Sequence, residues 1–532
     1  MTKPLKSIAE TEIEEVELEV DFSEQDALEM KEHPILIRPL GHKDGKYHFI
    51  APSGEHRSMS AEQLEAGRGV RAIFVGQRRE IIDACLAEFP SGKIDWCPKR
   101  AGLWIIEKCN QRGVIDPSSL DLRASGVWRD ENGGAIMHCG EQVIFADGRN
   151  ASLMEFKSKQ VMIAGQSISA PDFEPLPFDA MKVLLNKLEK LWGWSRSCDA
   201  CIWLGFIALA SLGGYPTWRP HLYVSGSRGS GKSTLLNAAA CLLGDLAGEP
   251  INDATEAGLR QSRNNHARPL LIDEFEPDSS DRGAARQDNI LGLLRRMSGG
   301  AGGKISRGSA DHKAVSFRIV GSAYLTSINH VHFEPQDRSR FAVIALKPLP
   351  APDAPSMAAE DVEAFLADCC NLSSRFRGRM LRQSPRWDRT FASIKARAQS
   401  KGADVRQAET AAAILCGLDL ALHNGEIDSL RLEDLDEPLD ALLGDASEAQ
   451  QDCEGQDALD HLLSEIVPLD RGENRSIREM LERVIDGNST PDSDHFAAAL
   501  RRHGVYVSLS KRLVSVRVGK DNQTAKLFAR TK

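Results

Sequence analysis

The stretch His221–Gly244, HLYVSGSRGSGKSTLLNAAACLLG, constrains the fold more than any other in this chain of 532 residues. HLYVSG reads as a buried strand, SRGSGK cannot continue it, and STLLNAAACLLG has helical composition ending at a glycine. Gly226-x4-Gly231-Lys232-Ser233 therefore falls between a strand and a helix, the context in which a glycine-rich loop grips phosphate. Gly226, Gly229 and Gly231, with Ser227, Arg228 and Ser230 between them, let successive backbone N–H groups curl around an anion. The helix N-terminus adds partial positive charge. Lys232 is expected to reach the β- and γ-phosphates, and the Ser233 hydroxyl to bind Mg²⁺, with Thr234 beside it in the first turn. ATP and Mg²⁺ are the expected ligands.

Such a loop needs an apolar strand ending in acid, and RPLLIDEFE supplies it. Leu270, Leu271 and Ile272 lead to Asp273, placed to hold the Mg²⁺ shell, and Glu274, placed to orient and deprotonate a water. Two carboxylates suit hydrolysis by a motor or switch better than a small-molecule kinase.

The net charge of −10 provides no global basic field, so any nucleic-acid site must be a local patch, such as a channel. The opening MTKPLKSIAETEIEEVELEVDF does not read as a secretory leader. The eleven cysteines form no framework, so a reducing, cytoplasmic setting is expected. Cys198-x-x-Cys201 lies on a probable helix with no second pair at zinc spacing, and reads as buried thiols. The uncharged run from Cys201 to Trp218 is broken by SLGGYPTW, too early to span ~30 Å of hydrocarbon. It is expected to be a core helix, with no membrane as partner.

Composition shifts divide the chain into a multidomain α/β protein. Residues 1–32 read as a tail, 33–165 as an N-terminal α+β domain, and APDFEPLPF as a linker. Residues 166–346 hold the nucleotide core and its preceding helices, 347–443 a helical segment, and 455–532 a small domain after the polar stretch GDASEAQQDCEGQD. Within the N-terminal domain, RREIIDACLAEF and KRAGLWIIEKCNQRG are expected to be helices. In the last domain, SIREMLERVIDG opens with Ser476-x-x-Glu479, a capping box. A second helix and a hairpin complete a winged-helix outline. Arg501, Arg502, His503, Lys511, Arg512 and Arg517 gather in its second half, which suits duplex DNA or a protein equally.

A further strand, FRIVGSAYLTSIN, ends at Asn329, and EPQDRSRFAVIAL puts Arg338 and Arg340 before a last strand. This arrangement resembles AAA+ ATPases. The resemblance implies that Asn329 is the sensor that positions the lytic water. It also implies that Arg338 or Arg340 is a finger reaching the neighbouring subunit's γ-phosphate, in an assembly of usually six copies. The plainer alternative is a pair of surface arginines bound to Asp337 or Glu334. Between the acids and Asn329, GGKISRGSADHKAVSFRIV reads as a hairpin with Lys304 and Arg307 on one arm and His312 and Lys313 at the tip. Such groups in a pore would track a phosphate backbone without reading sequence; a solvated turn would have the same composition. No aromatic pore loop of the protein-remodelling kind is present.

TEAGLRQSRNNHARPLLIDEFE, LLRRMSGGAGGKISRGSADHKAVSFRI and SINHVHFEPQDRSRFAVIAL resemble the replicative helicases of phages, satellites and mobile genomic islands. These are AAA+ enzymes of superfamily 3 and MCM-like type, with a hairpin before sensor 1. VIDPSSLDLRASGVWRDENGGAIMHCGEQVI and GADVRQAETAAAILCGLDLAL extend the resemblance over nearly all of the chain from Pro34 onward. It implies a hexamer that encircles DNA, single-stranded in its pore, and translocates with ATP state. No primase acid cluster or zinc ribbon precedes the linker. Two other readings use the same loop: a helicase loader or protein remodeller, and a nucleotide-switched defence or signalling ATPase. The helix bearing Arg375, Arg377, Arg379 and Arg382 is either a solvated basic face or includes a nucleotide-sensing arginine.

Overall fold

The computed structural model describes residues 37–74, 86–88, 94–153, 155–156, 158–177, 179–276, 281–299, 305–308, 314–328, 333–348, 359–451, 462–464, 466–469, 474–486, 491–508 and 513–516. They form a mixed α/β protein with several sheets and many helices, in two compact units, Met1–Ile115 and Asp116–Lys532.

In the first unit, strands Arg38–Lys43, Lys46–Ile50 and His56–Ser60 make an antiparallel sheet. The first hairpin turns on Asp44 and Gly45, both at positive φ (51° and 69°), as a two-residue turn matching strand twist requires. Helix Pro98–Arg112 packs on the sheet, burying Ala101, Ile105 and Cys109 against Phe49 and Leu64. Helix was expected through Phe89, but Leu86–Glu88 is a strand paired with Ile94–Trp96. The short apolar run CLAEF suits either state, and strand pairing decides it.

The second unit opens with β-structure. Strands Gly126–Arg129, Ala135–His138, Gln142–Phe145 and Asn150–Ser152 form an antiparallel sheet. Ala124 N donates to Asn265 O at 2.8 Å and Val127 N to Ala267 O at 3.1 Å, so this sheet is stitched to the segment that leads into strand Leu270–Ile272.

The central sheet has four parallel strands, numbered here β1 (His221–Gly226), β2 (Leu270–Ile272), β3 (Ala323–Ser327) and β4 (Phe341–Leu346), in the order β2–β3–β1–β4. Ile251 adds a bridge outside β2. Near-continuous burial of these strands is what a parallel sheet covered on both faces demands. Helix Asp199–Ser211 is buried over almost its whole length, so its apolar run is core. It meets helix Val405–Leu422 at paired glycines: a Cβ at Gly205 would lie 2.6 Å from Ile414 O, and one at Gly417 2.4 Å from Gly205 O. No helix among the described residues is long and apolar enough to cross a membrane.

The polar stretch after Leu443 is not a break at once, because helix Asp436–Gln451 runs into it. Beyond it, helices Ile477–Asp486 and Pro491–Arg502 and strand Val505–Ser508 share a core around Met480, Leu500 and Val505, and Val505–Ser508 pairs antiparallel with Leu513–Val516. Ser476 Oγ accepts from Glu479 N at 3.1 Å, while the Glu479 carboxylate pairs with Arg475 at 2.7 Å. Arg501 and Arg502 are exposed; Lys511, Arg512 and Arg517 lie outside the described residues.

Candidate nucleotide site

The glycine-rich loop leaves β1 at its C-terminal end and enters helix Lys232–Leu243 with Gly231 as N-cap. Gly229 and Gly231 have φ of 82° and 85°, a conformation that only glycine adopts cheaply. Arg228, Gly229 and Ser233 face solvent, whereas Ser230 and Lys232 are buried. Lys232 Nζ donates to Gly226 O at 2.7 Å and Ser227 O at 2.9 Å, folded back onto its own loop. Burial lowers its pKa, opposed by the carboxylates of Glu276 and Asp273. The buried hydroxyls Ser227 Oγ and Ser230 Oγ have no hydrogen-bond partner. A loop with a buried ammonium and orphan hydroxyls fits an oxyanion ligand.

Trp192, at the end of helix Ala180–Leu191, grips this loop. Its Nε1 donates to Gly231 O at 3.1 Å, and a Cβ at residue 231 would lie 2.9 Å from that nitrogen. Trp192 also lines a cavity of about 850 Å³ with Trp194, Lys347, Leu418, His423 and Arg431. Nothing local distinguishes a tryptophan that packs a core from one that also holds a loop.

β3 lies between the loop strand and the acid strand, and joins them chemically. Thr326 Oγ1 donates to Asp273 Oδ1 and accepts from Glu274 N at 3.2 Å; Phe275 N donates to Thr326 O at 2.7 Å. Glu274 N also approaches Asp273 Oδ1 at 3.1 Å. These bonds hold Glu274 at φ 53°, unusual for a residue with a Cβ, and its side chain is exposed at the strand end. Glu276 Oε1 accepts from Ile328 N. Neither Thr326 nor Glu276 was singled out from sequence, since both contacts cross the sheet. On the sequence expectation that this site hydrolyses ATP, Thr326→Val should lower kcat roughly tenfold with KM nearly unchanged. A wild-type kcat would show that the hydroxyl is not needed.

Asn329, Lys304, His312 and Lys313 lie outside the described residues, as does the side chain of Arg307. The hairpin that was expected to carry the basic residues is there, with Ile305–Gly308 antiparallel to Ala314–Phe317 and Arg307 opposite Val315.

Arg338 and Arg340 lie at the other end of the sheet. β1 and β4 run parallel with His221 opposite Phe341 and Gly226 opposite Leu346. The two arginines precede Phe341, roughly 17 Å of strand away from the loop. They cannot serve their own loop. Asp337, a partner considered for them, is buried and bonded to Arg295 at 2.5 Å, and burial raises its pKa against that pairing. Arg340 donates to Gln336 O.

The four arginines of helix Ala359–Gln383 are not a free solvated face. Arg375 pairs with Asp172 at 3.2 Å, Arg377 donates to Ser169 O at 2.9 Å, Arg379 to Ala421 O at 2.7 Å and Arg382 to Phe173 O. They tie the helix to neighbouring chain. Cys198 and Cys201 carry free thiols, and burial pushes Cys201 up to about 12. No cluster of metal-ligating side chains occurs among the described residues.

No family model matches the sequence, and no curated protein matches it. Among solved structures, the chain is similar to one described as "SCCmec type IV Cch - active helicase", at 13% identity and a TM-score of 0.44, covering 80% of this chain and 76% of that one. It is also similar to the apo C-terminal region of NrS-1, at 12% identity and a TM-score of 0.32, covering 74% of this chain and 89% of that one.

Proposed function

We propose that this chain is an ATP-dependent DNA helicase, a ring-forming AAA+ motor serving replication of a phage or mobile element. The observation that carries the reading is the sheet order. One strand separates β1 from β2, so the acids at the end of β2 face Lys232 across a gap, with Glu276 and Asp273 acting on its charge. That gap is where a γ-phosphate and a water belong.

In this reading the N–H groups of Gly229–Ser233 and the Lys232 ammonium hold the phosphates, so binding must pull Nζ from Gly226 O and Ser227 O. Ser233 and Asp273 would hold Mg²⁺, which supplies charge neutralisation on the β- and γ-oxygens. Glu274 accepts a proton from the water whose oxygen bonds to the γ-phosphorus, while the bond to the β–γ bridging oxygen breaks. Thr326 keeps Asp273 and Glu274 in register. Arg338 or Arg340, remote from its own loop, completes the site of a neighbouring copy. The hairpin Ile305–Phe317, with Arg307 on one arm, would carry the grip on DNA.

The testing measurement is the ATP hydrolysis rate with and without single-stranded DNA, with Glu274→Gln as the blank. Stimulation of about tenfold or more is expected. Hydrolysis indifferent to single-stranded, duplex and forked DNA would overturn the DNA assignment and favour a protein substrate.

A further inference from the structure

Arg340 is held by a small relay that no nucleotide of its own subunit touches. Its guanidinium carbon lies 6.0 Å from the centre of the Trp218 ring, and one terminal nitrogen donates to Gln336 O. Its Nε is buried without a hydrogen-bond partner. Burial lowers its pKa, the neighbouring Arg406 and Arg295 act in the same direction, and the Asp337 carboxylate opposes them. The acid nearest in sequence, Asp337, is bonded to Arg295. The guanidinium is thus half-buried between two other arginines and a carboxylate already bonded to Arg295, with a donor left over, an arrangement that leaves room for an incoming anion.

The backbone beside it is fixed from another element. Trp218 Nε1 donates to Thr410 Oγ1 at 3.0 Å, and Thr410 Oγ1 donates to Ser339 O at 2.9 Å. One hydroxyl on helix Val405–Leu422 therefore accepts from the indole under Arg340 and donates to the carbonyl preceding it. Trp218 is itself pinned: it bridges Gly299, and Arg219 N donates to Ser298 O at 2.7 Å. His221 N donates to Arg340 O at 2.8 Å, closing the other side.

We infer that Trp218 and Thr410 are positioning residues for Arg340, holding it for the γ-phosphate bound to the neighbouring copy. The inference rests on the arginine-finger reading above and selects Arg340 over Arg338. A flexible arginine loses rotamer freedom when it engages, and a pre-set ring and backbone reduce that loss before the anion arrives.

The test compares Thr410→Val, Thr410→Ser and Arg340→Ala in the full chain. Thr410→Val removes both relay bonds at nearly constant volume, whereas Thr410→Ser keeps the hydroxyl. Arg340→Ala and Thr410→Val are each expected to lower kcat for ATP about tenfold or more with KM nearly unchanged, and Thr410→Ser to stay near wild type. Either low variant is then mixed with Lys232→Ala chains, which have a dead loop but an intact arginine. The mixture should turn over ATP faster than either component, because intact arginines then serve intact loops. A low Thr410→Val rate that Lys232→Ala does not raise, beside complementation of Arg340→Ala, would mean that Thr410 is merely structural. A wild-type Thr410→Val rate would have the same meaning. Wild-type turnover by Arg340→Ala, or no complementation of that variant, would remove Arg340 as the finger and the positioning role with it.

Discussion

Replacing Glu274 by Gln is expected to cut ATP turnover by about a thousandfold while nucleotide binding stays within a few-fold of wild type. The two effects separate because the structure separates the groups. In the proposed function, binding rests on the loop at Gly229–Ser233 and on Lys232, which lies against two carbonyls. Glu274 lies across the gap at an exposed strand end, its backbone fixed by Asp273 and Thr326 rather than by its own carboxylate. The isosteric amide should leave that backbone in place and remove only the proton acceptor. Equilibrium binding of a fluorescent ATP analogue, beside steady-state hydrolysis, checks both halves. Residual turnover within tenfold of wild type would transfer the base role to another group, and Glu276 would be first in line.

The second large effect concerns acid. His221 is completely enclosed at the start of β1, with Nε2 2.9 Å from Leu294 O and Nδ1 accepting from Ala323 N at 2.9 Å. Burial lowers its pKa to about 4, and does the same for His138 and His266 in this unit. A base whose folded pKa is depressed binds more protons when unfolded. Its stabilising contribution is full above the unfolded value of about 6.5 and is lost as pH falls towards 4. Each such histidine removes up to about 1.4 kcal/mol per pH unit inside that window. Thermal melting should therefore drop by several degrees between pH 7 and pH 5. It should change little between pH 7 and 8 on this account. A melting temperature unchanged at pH 5 would show that these imidazoles are hydrated in the folded state.

The loop, the acid strand and the later strands of the sheet were legible because each is a contiguous run whose residue types state their job. The order of those strands was not, since nothing in RPLLIDEFE says that AYLTS will lie between it and HLYVSG. Trp192, Thr326 and Glu276 escaped for the same reason: their partners are 39, 53 and 52 residues away in the chain. Arg375 to Arg382 misled in the opposite direction. A basic helix face looks free in sequence, yet its partners are mostly backbone carbonyls, which carry no sequence signature. The main-chain stitching at Asn265 and Ala267 was likewise invisible in sequence.

The placement of Arg340 at one end of β4 and the glycine-rich loop at the other has a consequence for assembly. In the proposed function no copy is a complete enzyme. The catalytic centre exists only at a head-to-tail junction, and a face-to-face pair could not form two of them with the same surface. Dilution should then silence the protein before it unfolds. Closing the chain of junctions gives every copy both roles, whereas an open array leaves one loop unserved and one arginine idle at its ends.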